Sequence, residues 1–279
     1  MNRIVSDLPF KDYLADESIS GSLLVKCNKS MRHGHWYKTH SQETNREMDW
    51  GTILHAAVLE PERFFKEAVI WTGKKKSGKA WDAFEEENQD RIIITQKQCD
   101  DVRYAVDSVL SNQDAMEKLK DCKKEQSIFW STPEYGNARA RPDGLCQNYS
   151  VSYKTTAQIH PQAVQRTAYN MGYHIKEGWI QVGLRELTGN VLPVWVIWQE
   201  ASGPFDVLVD EYDSVALAAG RQISQALAAR YRACEKSGLF PGVRTEIGCL
   251  KIPTWAMQGD NPIALAACNE MDELEAKDL

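Results

Sequence analysis

The sequence lacks an apolar run long enough to cross a lipid bilayer, which takes about 20 consecutive, mostly apolar residues. Residues 1–14 also lack the apolar block that is typical of a secretory signal peptide. Together these two absences predict a cytoplasmic protein.

Regularly spaced cysteines are missing as well, because the seven cysteines never form a CxxC pair. Structural zinc sites and cysteine-held iron–sulfur clusters depend on such spacing, so neither kind of site is supported. An odd and scattered set of cysteines is typical of free thiols in a reducing compartment rather than of a disulfide framework. We therefore expect free thiols.

The chain has no excess of positive charge, and its formal net charge is −6. This balance is not that of a generic DNA-coating protein, but it is compatible with an enzyme that concentrates basic groups in one channel. The strongest basic cluster consists of Lys74, Lys75 and Lys76, followed by Lys79. This segment could grip a phosphate backbone, or it could be an ordinary solvated loop.

Internal repeats and low-complexity linkers are absent, and 279 residues with 43% hydrophobic content suffice for one sizeable core. We predict one domain over residues 1–268 with a helical lead-in, and a disordered acidic tail over residues 269–279. Apolar patterns predict both strands and helices, and hence an α/β (α+β) fold. The predicted strands are 128–130, 138–145, 150–154, 191–199 and 205–209. The predicted helices are 52–59, 96–119, 161–187 with an interruption near Gly172, and 212–237.

The segment 139–156 contains the most informative local pattern. Pro142 and Asp143 end one apolar run, and Lys154 ends the next. This is the layout of a metal-dependent nuclease hairpin, in which the acid binds a divalent ion and the lysine neutralises charge on the phosphate. Ser152 shares a strand face with Lys154 and occupies the position of an expected second metal-binding acid. Taken alone, Pro-Asp-Gly is also a common turn sequence.

Several further segments resemble the RecE family, the exonuclease VIII type of phage and prophage recombination nuclease. The resemblance covers roughly residues 8–257, and its specificity comes from the order and spacing of the motifs. The matching segments are residues 19–24, 51–61, 125–130, 141–144, 154–156, 240–242 and 253–255.

The resemblance implies a PD-(D/E)xK nuclease core, in which helices flank a central mixed β-sheet. It also implies a 5′–3′ exonuclease that digests double-stranded DNA with Mg²⁺, or with Mn²⁺, during phage-type homologous recombination. The implied partners are duplex DNA ends, a single-strand annealing protein and further copies of the chain in a ring. The implied setting is the cytoplasm of a bacterial or phage-infected cell.

The same resemblance assigns roles to individual residues. His55, Asp143 and Glu125 correspond to metal ligands, and Lys154 corresponds to the catalytic lysine. Apart from the resemblance, basic residues of the chain are the candidate DNA contacts, namely Arg139, Arg141, Lys176, Lys74, Lys75 and Lys76.

Two departures from the family pattern bear on catalysis. Ser152 replaces an acid, and Lys176 falls where the helix after the hairpin is expected to carry a glutamine. Glu177 is the best replacement acid, because this helix faces the hairpin in the implied fold, and Glu125 could also contribute. Without a replacement, the alternative is an inactive nuclease-fold protein that binds DNA ends or a partner protein. A nuclease of the RecB type, including its relatives in CRISPR adaptation, is a weaker interpretation. No cysteine pattern supports the iron–sulfur cluster that many of them carry, and residues 51–61 resemble RecE more closely.

Overall fold

The computed structural model describes residues 2–40, 46–89 and 91–251. The motif at 253–255, the end of the predicted domain at 268 and the tail at 269–279 lie outside the described residues. The chain divides into two compact units, Met1–Val243 and Arg244–Leu279. The first unit contains every described helix and strand, whereas the described residues 244–251 of the second form neither. No described helix combines the length and apolarity needed to cross a membrane.

The described residues form eleven strands and eleven helices. The strands are β1 (Arg3–Val5), β2 (Ile19–Ser20), β3 (Ala68–Trp71), β4 (Ile92–Thr95), β5 (Lys123–Lys124), β6 (Ser127–Thr132), β7 (Gly136–Ala140), β8 (Gly144–Leu145), β9 (Ser150–Thr156), β10 (Val194–Glu200) and β11 (Val207–Glu211). The helices are α1 (Phe10–Ala15), α2 (Gly21–Lys29), α3 (Met31–Thr39), α4 (Arg46–Leu59), α5 (Pro61–Glu67), α6 (Lys79–Glu87), α7 (Gln96–Ser111), α8 (Gln113–Leu119), α9 (Pro161–Asn170), α10 (Tyr173–Thr188) and α11 (Ser214–Ser237).

The described strands form two mixed sheets and one parallel pair. Their order is β1-β6-β7-β2 in a four-stranded sheet, β11-β10-β9-β8-β5 in a five-stranded sheet, and β3-β4 in a separate pair. β9 and β10 run parallel, so the connection between them is long and passes through α9 and α10. β8 and β11 pair antiparallel on the outer sides of this parallel pair. The mixed α/β class agrees with the sequence prediction.

The strand predicted over 138–145 is interrupted. β7 ends at Ala140 in the four-stranded sheet, and β8 begins at Gly144 in the five-stranded sheet. The opposite side of the hairpin is also interrupted, because Glu125 lies between β5 and β6 with φ +52°. A hydrogen bond from Glu125 N to Asp143 O, 3.2 Å long, joins the two interruptions. A positive φ is strained at a non-glycine residue, and here it turns the chain from one sheet into the other.

The helix predicted over 96–119 is two helices. Asn112 separates α7 from α8, and its side chain accepts a hydrogen bond from Ala115 N at the start of α8. Asparagine favours such a cap over a helix interior, which explains the break. The interruption predicted near Gly172 is confirmed, since Gly172 has φ +66° between α9 and α10.

Helix α10 is held closely against its neighbours. Its Gly178 approaches the backbone of Gly220 on α11, and a Cβ atom added at Gly220 would overlap His174 O. On the other side, Trp179 Nε1 donates a hydrogen bond to Arg139 O on β7 at 3.0 Å. These contacts fix α10 over the interrupted hairpin.

Cys122 and Cys146 form a disulfide. The antiparallel pairing of β5 with β8 brings their Cα atoms to 4.5 Å across a sequence separation of 24 residues. The prediction of free thiols is therefore wrong for this pair, because strand pairing rather than sequence spacing placed the two cysteines together. Among the described residues, the remaining cysteines are free: Cys27, Cys99, Cys234 and Cys249.

Candidate active site

Three predicted metal ligands converge at the interrupted hairpin. His55 comes from α4, Glu125 from the link between β5 and β6, and Asp143 from the link between β7 and β8. One potential ligand atom from each residue lies within 4.8 Å of the others. His55 Nε2 is 3.2 Å from Asp143 Oδ1, and His55 Nδ1 is 3.9 Å from Glu125 Oε1. Two carboxylates and an imidazole in this arrangement could hold one divalent metal ion.

Each carboxylate uses one oxygen for the protein and turns the other towards His55. Glu125 Oε2 accepts a hydrogen bond from Arg141 Nε at 2.7 Å. Asp143 Oδ2 accepts hydrogen bonds from Tyr153 N at 2.7 Å and from Lys154 Nζ at 3.0 Å. Such supporting hydrogen bonds fix the orientation of metal ligands. Glu125 Oε1 and Asp143 Oδ1 are the oxygens that face His55.

The pKa values in the site reflect burial and the neighbouring charges. Burial favours a neutral Asp143, but Lys154 and His55 outweigh this effect and hold the pKa of the carboxyl well below its usual range. Burial disfavours the charged form of His55, yet Asp143 raises the pKa of the imidazole overall. Burial, followed by the charge of Asp143, raises the pKa of Glu125. Asp143 is therefore the most firmly ionised acid of the group.

Lys154 lies beside the metal-ligand group at the end of β9. Its side chain is 17% exposed, and Asp143 is its ion-pair partner. Burial lowers the pKa of the ammonium, but the charges of Asp143 and Glu177 more than compensate and raise it. Lys154 is thus cationic at neutral pH and can stabilise negative charge on a bound phosphate.

Glu177 lies next to Ser152, at the position where the sequence predicts a second acid. Ser152 Oγ donates a hydrogen bond to Glu177 Oε1 at 2.8 Å and lies 3.4 Å from Asp143 Oδ2. Ser152 and Glu177 are each only 3% exposed. Burial raises the pKa of Glu177, and the charge of Lys154 opposes this shift. A carboxylate therefore occupies the interior next to Ser152, although it comes from α10 instead of β9.

Lys176 precedes Glu177 and is partly buried. Burial, followed by the charge of Lys154, lowers the pKa of its ammonium. It makes no hydrogen bond or ion pair with another residue in the part of the chain that the structure describes. This position leaves its donors available to an anionic ligand.

The two predicted arginine contacts lie in the interior. Arg139 is 8% exposed, and its guanidinium donates to Leu14 O and lies 4.5 Å from the Tyr13 ring centroid. Arg141 has an 8% exposed side chain and pairs with Glu125. The hairpin places both side chains against the N-terminal segment, where they donate to Leu14 O and Leu8 O. Their contact with DNA stays a prediction. Arg141 also supports a metal-ligand candidate.

The side chains of Lys74, Lys75 and Lys76 are exposed, as a DNA-contacting loop requires. Lys76 Nζ donates to Ile93 O at 3.3 Å and lies 5.3 Å from the Trp81 ring centroid. A role in DNA binding stays a prediction for this loop.

Tyr173 belongs to the site but was not predicted. Its ring centroid lies 5.5 Å from Lys154 Nζ. The signal available in the sequence was its position four residues before Glu177, because residues at this spacing share one face of a helix.

Residues 20–252 match a protein family described as a PDDEXK-like domain of unknown function (DUF3799). The fold is similar to a crystal structure of a candidate exonuclease from Eubacterium rectale, with a TM-score of 0.62 and 13% sequence identity. That similarity covers 92% of this chain and 98% of the other. No curated protein matches the sequence. These matches confirm the predicted nuclease core and support a nuclease-type function, whereas the finer resemblance to RecE stays a prediction.

Proposed function

Because this chain belongs to the PDDEXK-like family DUF3799, we propose that it is a metal-dependent nuclease that hydrolyses phosphodiester bonds in double-stranded DNA. The observation that supports this function best is the convergence of His55, Glu125 and Asp143 within 4.8 Å, with Lys154 paired to Asp143. This set combines anionic ligands for a metal with a fixed cation for the phosphate.

The donor chemistry fits a divalent ion. His55, Glu125 and Asp143 would hold it, and the two carboxylate oxygens that face His55 suit Mg²⁺ or Mn²⁺. When bound, such an ion polarises the phosphate and promotes ionisation of a water molecule.

The side chains around this group supply the remaining chemistry. Lys154 Nζ presents a positive charge where the phosphate accumulates negative charge, and its pairing with Asp143 keeps the ammonium in place. Glu177 supplies a further carboxylate, and the Ser152 hydroxyl orients one of its oxygens. Glu177 thus takes the role of the acid that the strand lacks.

The finer part of the proposal follows the RecE resemblance. It comprises 5′–3′ exonuclease activity on linear duplex DNA with Mg²⁺, action in recombination beside a single-strand annealing protein, and assembly of several copies into a ring. These points rest on the matching sequence motifs and on family analogy.

A second candidate function is a DNA-end-binding protein without hydrolytic activity. Ser152 favours this function because a hydroxyl is a poor magnesium ligand. Lys176 favours it as well, because a second ammonium group near Lys154 could bind a phosphate. The two functions differ in one measurable property, which is turnover.

Metal binding and DNA cleavage test the proposal together. Isothermal calorimetry would measure Mg²⁺ and Mn²⁺ binding, and digestion of duplexes labelled at the 5′ or 3′ end would give activity and polarity. We expect Asp143→Asn to abolish metal binding, and Asp143→Asn or Lys154→Ala to reduce cleavage by at least about 10²-fold.

Asp114→Asn is the matched control, because Asp114 is an exposed carboxylate on α8. It should bind metal and cleave DNA like the wild type. If purified wild-type protein bound duplex ends but never cut them with either metal, the non-hydrolytic function would replace the nuclease. If Glu177→Ala left metal-dependent cleavage unchanged, Glu177 would not supply the acid that β9 lacks.

A further inference from the structure

A cleft of about 380 Å³ lies at the carboxyl end of β9, between this strand and α9. Its lining combines polar side chains with an aromatic ring and a thioether, namely Thr155, Gln158, Arg166, Asn170, Met171 and Tyr173. Its volume falls within the range of about 300–1,000 Å³ that is usual for ligand pockets. The carboxyl ends of parallel strands, such as β9 beside β10, are also common positions for ligands in α/β proteins.

The cleft adjoins the candidate active site. Thr155 in its wall follows Lys154 in sequence, and Tyr173 in the same wall lies 5.5 Å from Lys154 Nζ. A polymer whose phosphate lies at Lys154 would therefore extend its neighbouring unit into or past this cleft.

The polar groups of the cleft remain available for a ligand. Within the described chain, the side chains of Thr155, Arg166 and Asn170 make no hydrogen bond or ion pair with another residue. Arg166 is exposed, and no aspartate or glutamate lines the cleft. The other large cleft, of about 610 Å³, differs because Asp101 and Asp107 line it. The absence of acids and the available guanidinium favour an anionic ligand at the cleft beside Lys154.

We propose that this cleft binds one nucleotide of the DNA strand next to the phosphate that is cleaved. Arg166 contacts the neighbouring backbone phosphate, and Tyr173 with Met171 packs against the sugar and base. An aromatic ring can stack on any base, so this contact positions the strand without selecting a sequence. The inference rests on the proposed nuclease function and assigns it a substrate-positioning subsite.

Arg166→Ala, Arg166→Lys and Ala163→Phe test the subsite in the full-length chain, since Ala163 lines the cleft and a phenyl ring would fill it. Arg230→Ala is the matched control, because Arg230 is an exposed arginine on α11. The measurements are binding of a fluorescein-labelled duplex at several salt concentrations, with Ca²⁺ in place of Mg²⁺, and steady-state cleavage with Mg²⁺. Circular dichroism verifies that each variant is folded.

We expect Arg166→Ala to weaken binding by about tenfold and to reduce the slope of log Kd against log salt by about one, because one phosphate contact is lost. KM should rise while kcat changes little, since the contact lies outside the reacting group. Arg166→Lys should retain the salt slope, Ala163→Phe should raise KM, and Arg230→Ala should match the wild type.

The subsite is ruled out if the wild type cleaves DNA and a folded Arg166→Ala variant has the same salt slope and the same KM as the wild type. The proposed nuclease function is unaffected by that result. An equal loss in Arg230→Ala would also rule out the subsite, because the effect would be one of overall charge. If the wild type binds duplex DNA but never cuts it, the proposed nuclease function is wrong. A change in the salt slope of Arg166→Ala would still support the subsite in that case. Without any binding by the wild type, both proposals fail.

Discussion

Ser152 lies between the buried carboxylate of Glu177 and the half-buried carboxylate of Asp143. Its hydroxyl donates to Glu177 and lies 3.4 Å from Asp143 Oδ2. A hydroxyl can supply a proton between two anions, whereas a carboxylate would add a third negative charge. We therefore expect the acid that is missing at position 152 and Glu177 on α10 to be linked, because two carboxylates here would repel each other.

This link gives a prediction about restoring the strand acid. Ser152→Asp alone should destabilise the fold by on the order of 3 kcal/mol, because it adds an unpaired buried charge beside Glu177. Thermal unfolding at neutral pH measures the loss.

The swap variant Ser152→Asp with Glu177→Ser is the control. It moves the carboxylate back to the strand, so it should recover most of the stability and retain metal-dependent cleavage. If Ser152→Asp alone were as stable as the wild type and more active, the two positions would be independent.

Lys124 provides a pH-dependent prediction. Burial lowers the pKa of its ammonium from 10.5 to about 8. Between these values the unfolded chain binds more protons than the folded one, so the stability contributed by Lys124 rises with pH. The free energy of unfolding of the wild type relative to Lys124→Met should therefore increase by on the order of 1 kcal/mol from pH 7 to pH 9.5.

Urea denaturation of the two proteins at both pH values measures this change. Lys123→Met is the neighbouring control, because Lys123 is exposed, and its difference from the wild type should not depend on pH in this way. If the difference in free energy of unfolding between the wild type and Lys124→Met stayed constant or decreased with pH, the folded protein would not disfavour the charged ammonium.

At the scale of the elements, the site is built where regular structure stops. Glu125 and Asp143 occupy the two interruptions of one hairpin, while α4 and α10 bring His55 and Glu177 to them. The fixed position of α10 therefore matters for chemistry as well as for packing.

The contact between α10 and α11 can be tested at Gly220. Glycine to alanine in a helix ordinarily stabilises by about 0.5–1 kcal/mol, but a Cβ atom here would overlap the backbone of His174. We expect Gly220→Ala to destabilise the fold by at least about 2 kcal/mol, and thermal unfolding measures this effect.

Gly21→Ala is the comparison variant, because the nearest atom to its added Cβ is at an ordinary 3.4 Å. It should leave the melting temperature nearly unchanged. If both variants behaved alike, the close approach of α10 and α11 would not limit stability.

At the scale of the whole molecule, the net charge of −6 does not exclude positive groups at the candidate active site. Lys154 and Lys176 lie beside the buried acids, and Arg166 lies at the adjoining cleft. A bound metal ion would add further positive charge at the same place. An acidic protein can therefore still attract the DNA backbone at its candidate active site.

A metal that binds only the folded chain should raise the melting temperature. At a metal concentration of about 100 times Kd, the expected stabilisation is about 2.7 kcal/mol, or roughly 5–10 °C. Differential scanning calorimetry with and without Mg²⁺ or Mn²⁺ measures the shift. Asp143→Asn should lose it and Asp114→Asn should keep it, whereas an equal shift in both would place the metal elsewhere.

Local patterns in the sequence predicted much of the fold. Strand alternation and helix periodicity located most elements, and Gly172 correctly marked the break between α9 and α10. The breaks at Asn112 and at residues 141–143 were missed. In both places a side-chain or backbone hydrogen bond competes with the regular pattern, and hydrophobic periodicity does not report such a bond.

The sequence by itself determined which chemical groups are present: an acid and a lysine in one predicted hairpin, a helix histidine, and a serine in place of an acid. Only the tertiary structure decided which of them meet. It brought the carboxylate of Glu177 to the hydroxyl of Ser152, 25 residues away in the sequence. It also buried the side chains of Arg139 and Arg141 and joined Cys122 to Cys146. The physical reason is that sheet pairing and helix packing join residues far apart in sequence, whereas a sequence pattern reports only near neighbours along the chain.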